Sequence, residues 1–258
     1  MRAGWRAALM AALGLALLVV CWEVAPASAE QTQSCDVPAY LLFTDSKLEK
    51  VNFAVNVTRK LDILVVGSRS SSISTAEGAA YPGRLQTLLT DKLPTVAVTV
   101  TTELRPKTTA QQMVAGLATL VAERRPTLVI WQTGTYDAIR SIDPDDFRAA
   151  VDEGVAAVKK AGADILLLNL QYSPRTETMI APGPYLDNMR LVAQQYDIPL
   201  FDRFAIMRNW NENGDFDLFN TSPGIGLAKR VHDCLARALS TFVIDAARIN
   251  PVELRIQR

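Results

Sequence analysis

The sequence contains a single histidine, His232, and three cysteines, Cys21, Cys35 and Cys234. Zinc sites use several cysteine and histidine ligands at short characteristic spacings, and neither of the last two cysteines has a partner at such a spacing. We therefore expect no Cys/His zinc site, and we predict no metal and no other cofactor. Neither charge is in excess, because 27 basic residues balance 27 acidic ones, so nucleic acid is not expected as a partner.

A long apolar run is also missing. Arg2 and Arg6 precede an apolar run of about 14 residues, Ala7–Val20, which is too short to span a bilayer comfortably. A small-x-small motif ends at Ala29, and this combination is typical of a secretory signal peptide. We predict a signal peptide over residues 1–29 with cleavage after Ala29, a periplasmic or secreted protein, and no stable membrane span after cleavage. An uncleaved anchor is the alternative.

Cleavage at this site would remove Cys21 and leave Cys35 and Cys234. Two cysteines in an exported chain predict one disulfide, which would tie the segment before the first core strand to a C-terminal helix. Closing so long a loop would stabilise the fold by about 4–5 kcal/mol in the chain-entropy account. Two free buried thiols are the alternative.

Short apolar runs alternate along the rest of the chain with amphipathic stretches. The predicted strands are Ile63–Val66, Val96–Thr101, Leu128–Trp131, Ile165–Leu170 and Pro199–Phe201. The predicted helices are Tyr81–Asp91, Ala110–Glu123, Asp145–Ala161, Pro184–Tyr196 and Gly226–Ala247. This alternation predicts one domain over residues 30–258, a flavodoxin-like three-layer α/β/α sandwich around a central parallel sheet. Ligands bind beyond the carboxyl ends of the strands in such sheets.

Four motifs follow one another on these elements. They are VVGSRSSS after the first strand, VIWQTGTYD after the third, LLLNLQYSP after the fourth, and HDCLARAL on the last helix. Together they resemble the SGNH (GDSL-type) hydrolase superfamily over about residues 35–245, most of all its exported bacterial members. The resemblance implies hydrolysis of acyl esters by a serine nucleophile. A histidine would act as the base, and the serine N–H, a glycine N–H and an asparagine amide would hold the oxyanion.

The catalytic residues of the family are substituted at the positions where the resemblance places them. Arg69 occupies the nucleophile position after Gly67, although a slip of one residue would bring in Ser68 or Ser70. An arginine cannot be acylated in this way and stays protonated. The serines also suit a plain turn, in which their hydroxyls cap the following helix.

The remaining blocks depart from the family pattern as well. The stretch Glu103–Thr109 contains no glycine, and Tyr136 stands where an asparagine is expected after Gly134. The Asp-x-x-His motif before the last helix would fall on Gly224 and Leu227, or in a second register on Pro223 and Gly226. Neither register supplies an acid or a base. The single histidine, His232, lies later, within the helix, where a half-buried side chain hydrogen-bonded to a carbonyl is the simpler interpretation.

The loops at the carboxyl ends of the strands are rich in cations and aromatic rings. The cations are Arg69, Arg105, Lys107, Arg140 and Arg175, and the aromatic residues considered for sugar stacking are Trp131, Tyr136, Tyr172 and Trp210. Guanidinium groups suit carboxylate or phosphate ligands, which predicts an anion or acidic-sugar pocket. We expect the cleft to be lined by Arg69, Lys107, Gly134, Tyr136, Asp137 and Tyr172. Acids in the same loops would alternatively pair with the arginines and close the cleft.

Two function hypotheses follow from these substitutions. The first is a catalytically degenerate member that binds a carbohydrate, another anionic ligand or a partner in the cell envelope. The second is an active serine esterase or acylhydrolase that uses a displaced set, Ser68 or Ser70 with His232, on acyl esters such as O-acetyl groups. We favour the first, because triad members act as a unit and the loss of one removes most of the rate. A purely structural envelope role is a third possibility.

Overall fold

The structure is a computed structural model that describes residues 35–73, 76–219 and 224–256. The predicted signal peptide, Cys21 and the segment 220–223 lie outside the described residues. Within the described part, no helix is both long enough and apolar enough to cross a lipid bilayer.

Five strands of the described chain form one sheet in which neighbouring strands are all parallel. They are β1 (Lys60–Gly67), β2 (Ala97–Leu104), β3 (Leu128–Gln132), β4 (Asp164–Leu168) and β5 (Leu200–Phe201), in the spatial order β2-β1-β3-β4-β5. All five residues of β3 are buried, as expected for an apolar strand with helices on both faces. The predicted α/β/α sandwich is therefore confirmed.

Helices cover both faces of this sheet. Their bounds are α1 Ala39–Leu42, α2 Glu49–Phe53, α3 Tyr81–Lys92, α4 Ala110–Val114, α5 Leu117–Arg124, α6 Thr135–Ile139, α7 Pro144–Lys160, α8 Pro174–Met179, α9 Gly183–Tyr196, α10 Arg203–Glu212, α11 Ile225–Ala246 and α12 Pro251–Ile256. One layer packs α3 against α11, and the other packs α7 against α4, α5 and α9. Phe147, Val151, Val155 and Val158 form the buried stripe of α7 that the sequence pattern predicted.

The helix predictions need correction. The helix predicted over Ala110–Glu123 is two helices, because Ala115 leaves the helical region and Gly116 takes a left-handed φ of 94° between α4 and α5. Helix α10 was missed, as were the shorter helices α1, α2, α6, α8 and α12. Asp202 caps α10 by accepting a hydrogen bond from the backbone N–H of Ala205. Only Asp202 and Arg203 separate β5 from the apolar residues of α10, so a polar turn of only two residues marks its start.

The predicted disulfide is present between Cys35 and Cys234, with a Cα–Cα distance of 5.1 Å. It joins the segment before α1 to the middle of α11 and closes a loop of 199 residues in sequence separation. Cys234 is 3% exposed and belongs to the apolar core, so the bond lies between packed elements.

The strand order also fixes where a ligand site can form. From β1 the chain moves to β2 on one side of the sheet, and later returns to β3 on the other side of β1. Such a reversal leaves a crevice between the two neighbouring strands at their carboxyl ends. The segments that follow β1 and β3 therefore meet at the candidate site.

Candidate functional site

A short serine-rich turn follows β1 directly. After Gly67, residues Arg69–Ser71 form one turn of 3₁₀-helix, closed by a 2.9 Å hydrogen bond from the N–H of Ser71 to the carbonyl of Ser68. A Cβ atom at Gly67 would come within 2.7 Å of the Ser71 hydroxyl oxygen. Glycine therefore lets the turn fold back closely on the end of the strand. We call residues Ser68–Ser71 the serine turn.

The side chain of Gln132, at the end of β3, holds this turn. Its carboxamide oxygen accepts from the backbone N–H of Ser68 at 3.1 Å and lies 3.1 Å from the Ser68 Oγ, 3.2 Å from the Ser70 Oγ and 3.0 Å from the Ser71 Oγ. The backbone donor fixes the orientation of the amide, since only the oxygen can accept. An amide oxygen is a hydrogen-bond acceptor but far too weak a base to take a serine proton.

A buried arginine contacts the serine turn from the first residue of α10. Arg203 is 1% exposed, and its guanidinium donates to the Oγ of Ser70 at 3.2 Å and to the Ser70 carbonyl at 3.1 Å. Burial lowers the pKa of Arg203 to about 10, so the group stays charged at neutral pH. Its Nε is buried without a hydrogen-bond partner among the described residues.

His232 contacts the first residue of α3. Its Nδ1 accepts a 3.0 Å hydrogen bond from the backbone N–H of Tyr81, and its ring stacks on the tyrosine ring with centroids 5.8 Å apart. The expected bond to a carbonyl is thus wrong: the partner is a backbone donor. Burial, and then the charges of Arg203 and Arg84, lower the pKa of His232 to about 3.

This geometry assigns the neutral imidazole with its proton on Nε2, since Nδ1 accepts. Neither nitrogen is then free to take a proton from a serine hydroxyl. The next residue, Asp233, does not orient the ring, because its carboxylate pairs with Arg84 at 2.6 Å and with Arg237 at 2.9 Å. The hydroxyl of Tyr81 lies 2.9 Å from the Ser71 Oγ, so Tyr81 connects His232 to the serine turn.

Residues of the VIWQTGTYD motif that follow β3 make close packing and hydrogen-bond contacts at this edge of the sheet. Gly134 has a φ of 93°, and a Cβ there would lie 2.5 Å from a methyl carbon of Leu170. Asp137 is 1% exposed and accepts a 2.8 Å hydrogen bond from the backbone N–H of Ala110, at the start of α4. Burial raises the pKa of this carboxyl group. Tyr136, at the family's asparagine position, is partly exposed.

Four of the five predicted cations are free at the carboxyl edge of the sheet. They follow β1, β2, β3 and β4 in turn, are exposed, and make no ion pair with the side chains that the structure describes: Arg69, Lys107, Arg140 and Arg175. We call these four the edge cations. Arg105 is different, since it lies 3.4 Å from Glu103 and its guanidinium also contacts the carbonyls of Met113 and Ala115.

The aromatic residues are less available than the sequence suggested. Trp131 and Trp210 are completely buried, so stacking of a sugar on either is wrong. Tyr172 is 4% exposed and packs edge-on against Phe204. Of the four rings considered, Tyr136 is the one with a partly exposed surface.

The structure describes only part of the last family block, the segment before α11 where the Asp-x-x-His motif is expected. Pro223 lies outside the described residues, and Gly224 precedes α11 as its N-terminal cap. Gly226 and Leu227 lie in the first turn of α11. Among the described residues, no group of three or more histidine, cysteine, aspartate or glutamate side chains is arranged to hold a metal ion.

Fold and motifs together define the class of this protein, the SGNH-type hydrolases of lipase and esterase type. Within it, the chain belongs to the non-GDSL lipase-like family, whose sequence model matches residues 34–249. No curated protein matches the sequence.

Solved structures share this fold at low sequence identity. A two-domain esterase (CEX) active on acetylated mannans has a TM-score of 0.65 and 16% identity, covering 81% of this chain and 56% of that one. A lipase/acylhydrolase from Enterococcus faecalis has a TM-score of 0.59 and 15% identity, covering 74% of this chain and 98% of that one. A catalytic mutant of Axe2, an acetylxylan esterase from Geobacillus stearothermophilus, has a TM-score of 0.58 and 16% identity, covering 74% of this chain and 95% of that one.

Sequence reasoning missed three residues that organise this site: Gln132, Arg203 and Tyr81. Gln132 lies within a motif already singled out, at the last position of a buried strand, where a polar side chain needs a partner. Arg203 is followed by the apolar residues Phe204–Ile206 at the start of α10, but Asp202 precedes it, so the sequence gives little sign that its charge is buried. No pattern in the sequence indicates that these side chains meet.

Proposed function

We propose that this chain is a non-hydrolytic member of its lipase-like family, which uses the edge of the sheet to bind a ligand in the cell envelope. The observation that carries the proposal is the bonding of the serine turn. Its hydroxyls contact the amide oxygen of Gln132, and a guanidinium donates to Ser70. Acyl transfer needs a base in contact with the nucleophile, and the Nδ1 of His232 is already bonded to a backbone N–H.

One observation favours the second candidate, an active esterase. A cation that donates to the Ser70 Oγ would stabilise the alkoxide form of that serine. Proton removal would still require an acceptor, and His232 would first have to release the N–H of Tyr81, leaving a buried donor without a partner. The non-hydrolytic function is therefore the better supported of the two.

Two further features support a carbohydrate or other anionic ligand. The edge cations lie where ligands bind in sheets of this type. The structural relatives include an esterase active on acetylated mannans and an acetylxylan esterase, which are proteins that act on carbohydrate esters. A partner protein in the envelope is the alternative occupant.

A fluorophosphonate probe, which reacts with activated serines, tests the absence of catalysis. We expect no labelling of residues 30–258 and no hydrolysis of aryl acetates above the rate in buffer, because no described base contacts Ser68 or Ser70. An active serine esterase in the same assay serves as the positive control. Labelling that disappears in Ser70→Ala or Ser68→Ala, and also in His232→Ala, would establish the esterase instead.

We also propose that the protein is exported and that its first 29 residues are a cleaved signal peptide, with one domain over residues 30–258. The disulfide supports this proposal, since such bonds persist in oxidising compartments. Expressed with its full N-terminus in a bacterium, the protein is expected in the periplasm or medium, with Glu30 as its first residue by N-terminal sequencing. A chain that stays in the membrane fraction and begins before Ala29 would support the uncleaved anchor.

A further inference from the structure

The serine turn combines one exposed cation with one buried cation. Arg69 is the one edge cation that belongs to the turn itself, and its exposed side chain has no ion pair among the described side chains. Arg203 contacts the neighbouring residue, Ser70, from the protein interior. One guanidinium group of this turn is therefore open to solvent, and the other contacts it from the interior.

The buried charge of Arg203 lacks a carboxylate partner within the described part of the protein. Its Nη1 donates to the hydroxyl of Ser70 and its Nη2 donates to the carbonyl of Ser70. Its Nε has no acceptor among the described residues. The ring of Tyr81, 6.0 Å away, adds only a cation–π contact. An uncompensated buried charge is unfavourable, and an anion bound nearby would offset it. The positive potential of the turn is thus built into the fold.

We propose that the serine turn binds an oxyanion, the carboxylate or phosphate group of a ligand. Arg69 contacts the anion directly, since its planar fork matches the two oxygens of such a group. The half-buried hydroxyls of Ser68 and Ser70 can rotate to donate to the same group. Arg203 stabilises the bound charge through Ser70. The inference rests on the proposed function, in which the ligand is bound and not cleaved.

Three small probes of similar size separate charge from sugar recognition: D-glucuronate, D-glucose 6-phosphate and neutral D-glucose. Isothermal titration calorimetry on residues 30–258 at low ionic strength is expected to give binding of one or both anions, at least tenfold tighter than glucose. Comparison of D-glucuronate with D-glucose 6-phosphate shows whether the turn prefers a carboxylate or a phosphate group. Affinity for the anion should fall at about 0.15 M salt, because exposed charges are screened.

Matched variants locate the site. Arg69→Gln removes an exposed charge and is expected to weaken anion binding roughly tenfold or more without changing the melting temperature. Arg148→Gln removes another exposed charge, on α7, and is expected to leave binding unchanged. Arg140→Gln removes another edge cation and is expected to have a much smaller effect than Arg69→Gln.

Three outcomes would overturn the inference. They are equal binding of glucose and glucuronate, no saturable binding of any probe up to about 10 mM, and an equal loss of affinity in Arg140→Gln and Arg69→Gln. The last would mean a diffuse field of cations without a site on the turn. Fluorophosphonate labelling would instead contradict the proposed function, so the two failures are distinguishable.

Discussion

Acidification from pH 7 to pH 4 is expected to lower the free energy of unfolding by about 3 kcal/mol through His232 alone. The pKa of this histidine is about 3 in the folded protein, against an ordinary value of 6.5 in an unfolded chain. The unfolded chain therefore binds a proton between pH 6.5 and 3 while the folded protein does not. The stability that depends on a neutral His232 is fully present above pH 6.5 and is lost as the pH falls from 6.5 to about 3.

The physical reason lies in the surroundings of the imidazole ring. His232 is 8% exposed, its Nδ1 accepts from Tyr81, and Arg203 and Arg84 oppose a further positive charge. Protonation would turn the acceptor nitrogen into a donor facing the N–H of Tyr81. The folded state can accept the proton only if this contact breaks.

A matched variant isolates this effect from the other titrating groups. Burial raises the pKa values of Asp137 and Asp164, so protonation of these two carboxyl groups on acidification favours the folded state and opposes the histidine. In His232→Asn, an amide oxygen can replace Nδ1 as acceptor without titrating. Urea unfolding at pH 7, 5.5 and 4 should give a much steeper loss for the parent than for the variant. Parallel curves would mean that His232 is not buried as a neutral ring.

Reduction of the disulfide is expected to destabilise the domain by about 4–5 kcal/mol, the largest single effect we predict. The bond closes a loop of 199 residues in sequence separation, so its loss releases much conformational freedom in the unfolded chain. It also frees the segment before α1 from α11, two residues beyond His232. The double variant Cys35→Ser, Cys234→Ala should show the same loss in urea unfolding without reductant.

Added reductant provides the control for this comparison. A thiol-free reductant should lower the stability of the parent to that of the double variant and leave the double variant unchanged. Equal stability of the oxidised parent and the double variant would contradict the loop-closure argument.

The fold could be predicted from the sequence because each strand carries its own local signal. Apolar runs such as Leu128–Trp131, which are buried on both faces, differ visibly from amphipathic stretches such as α7. Local signals also led to wrong predictions. The apolar periodicity of Ala110–Glu123 continues across Gly116, so it predicts one helix where the backbone makes two. Burial of Trp131 and Trp210 was equally invisible, since an aromatic ring suits a core and a binding surface alike.

What the sequence by itself determined is the kind of chain and the residues that stand where the resemblance places the catalytic groups. Arg69 at the nucleophile position, Tyr136 at the asparagine position and the single histidine are facts of residue identity. Only the tertiary structure decided which side chains contact the serine turn. Ser70, Gln132 and Arg203 are separated by 62 residues in one case and 133 in another, and they meet because parallel strands bring their carboxyl ends to one edge. Hydrogen bonds between such distant side chains depend on distance and burial in the folded protein, which no local pattern encodes.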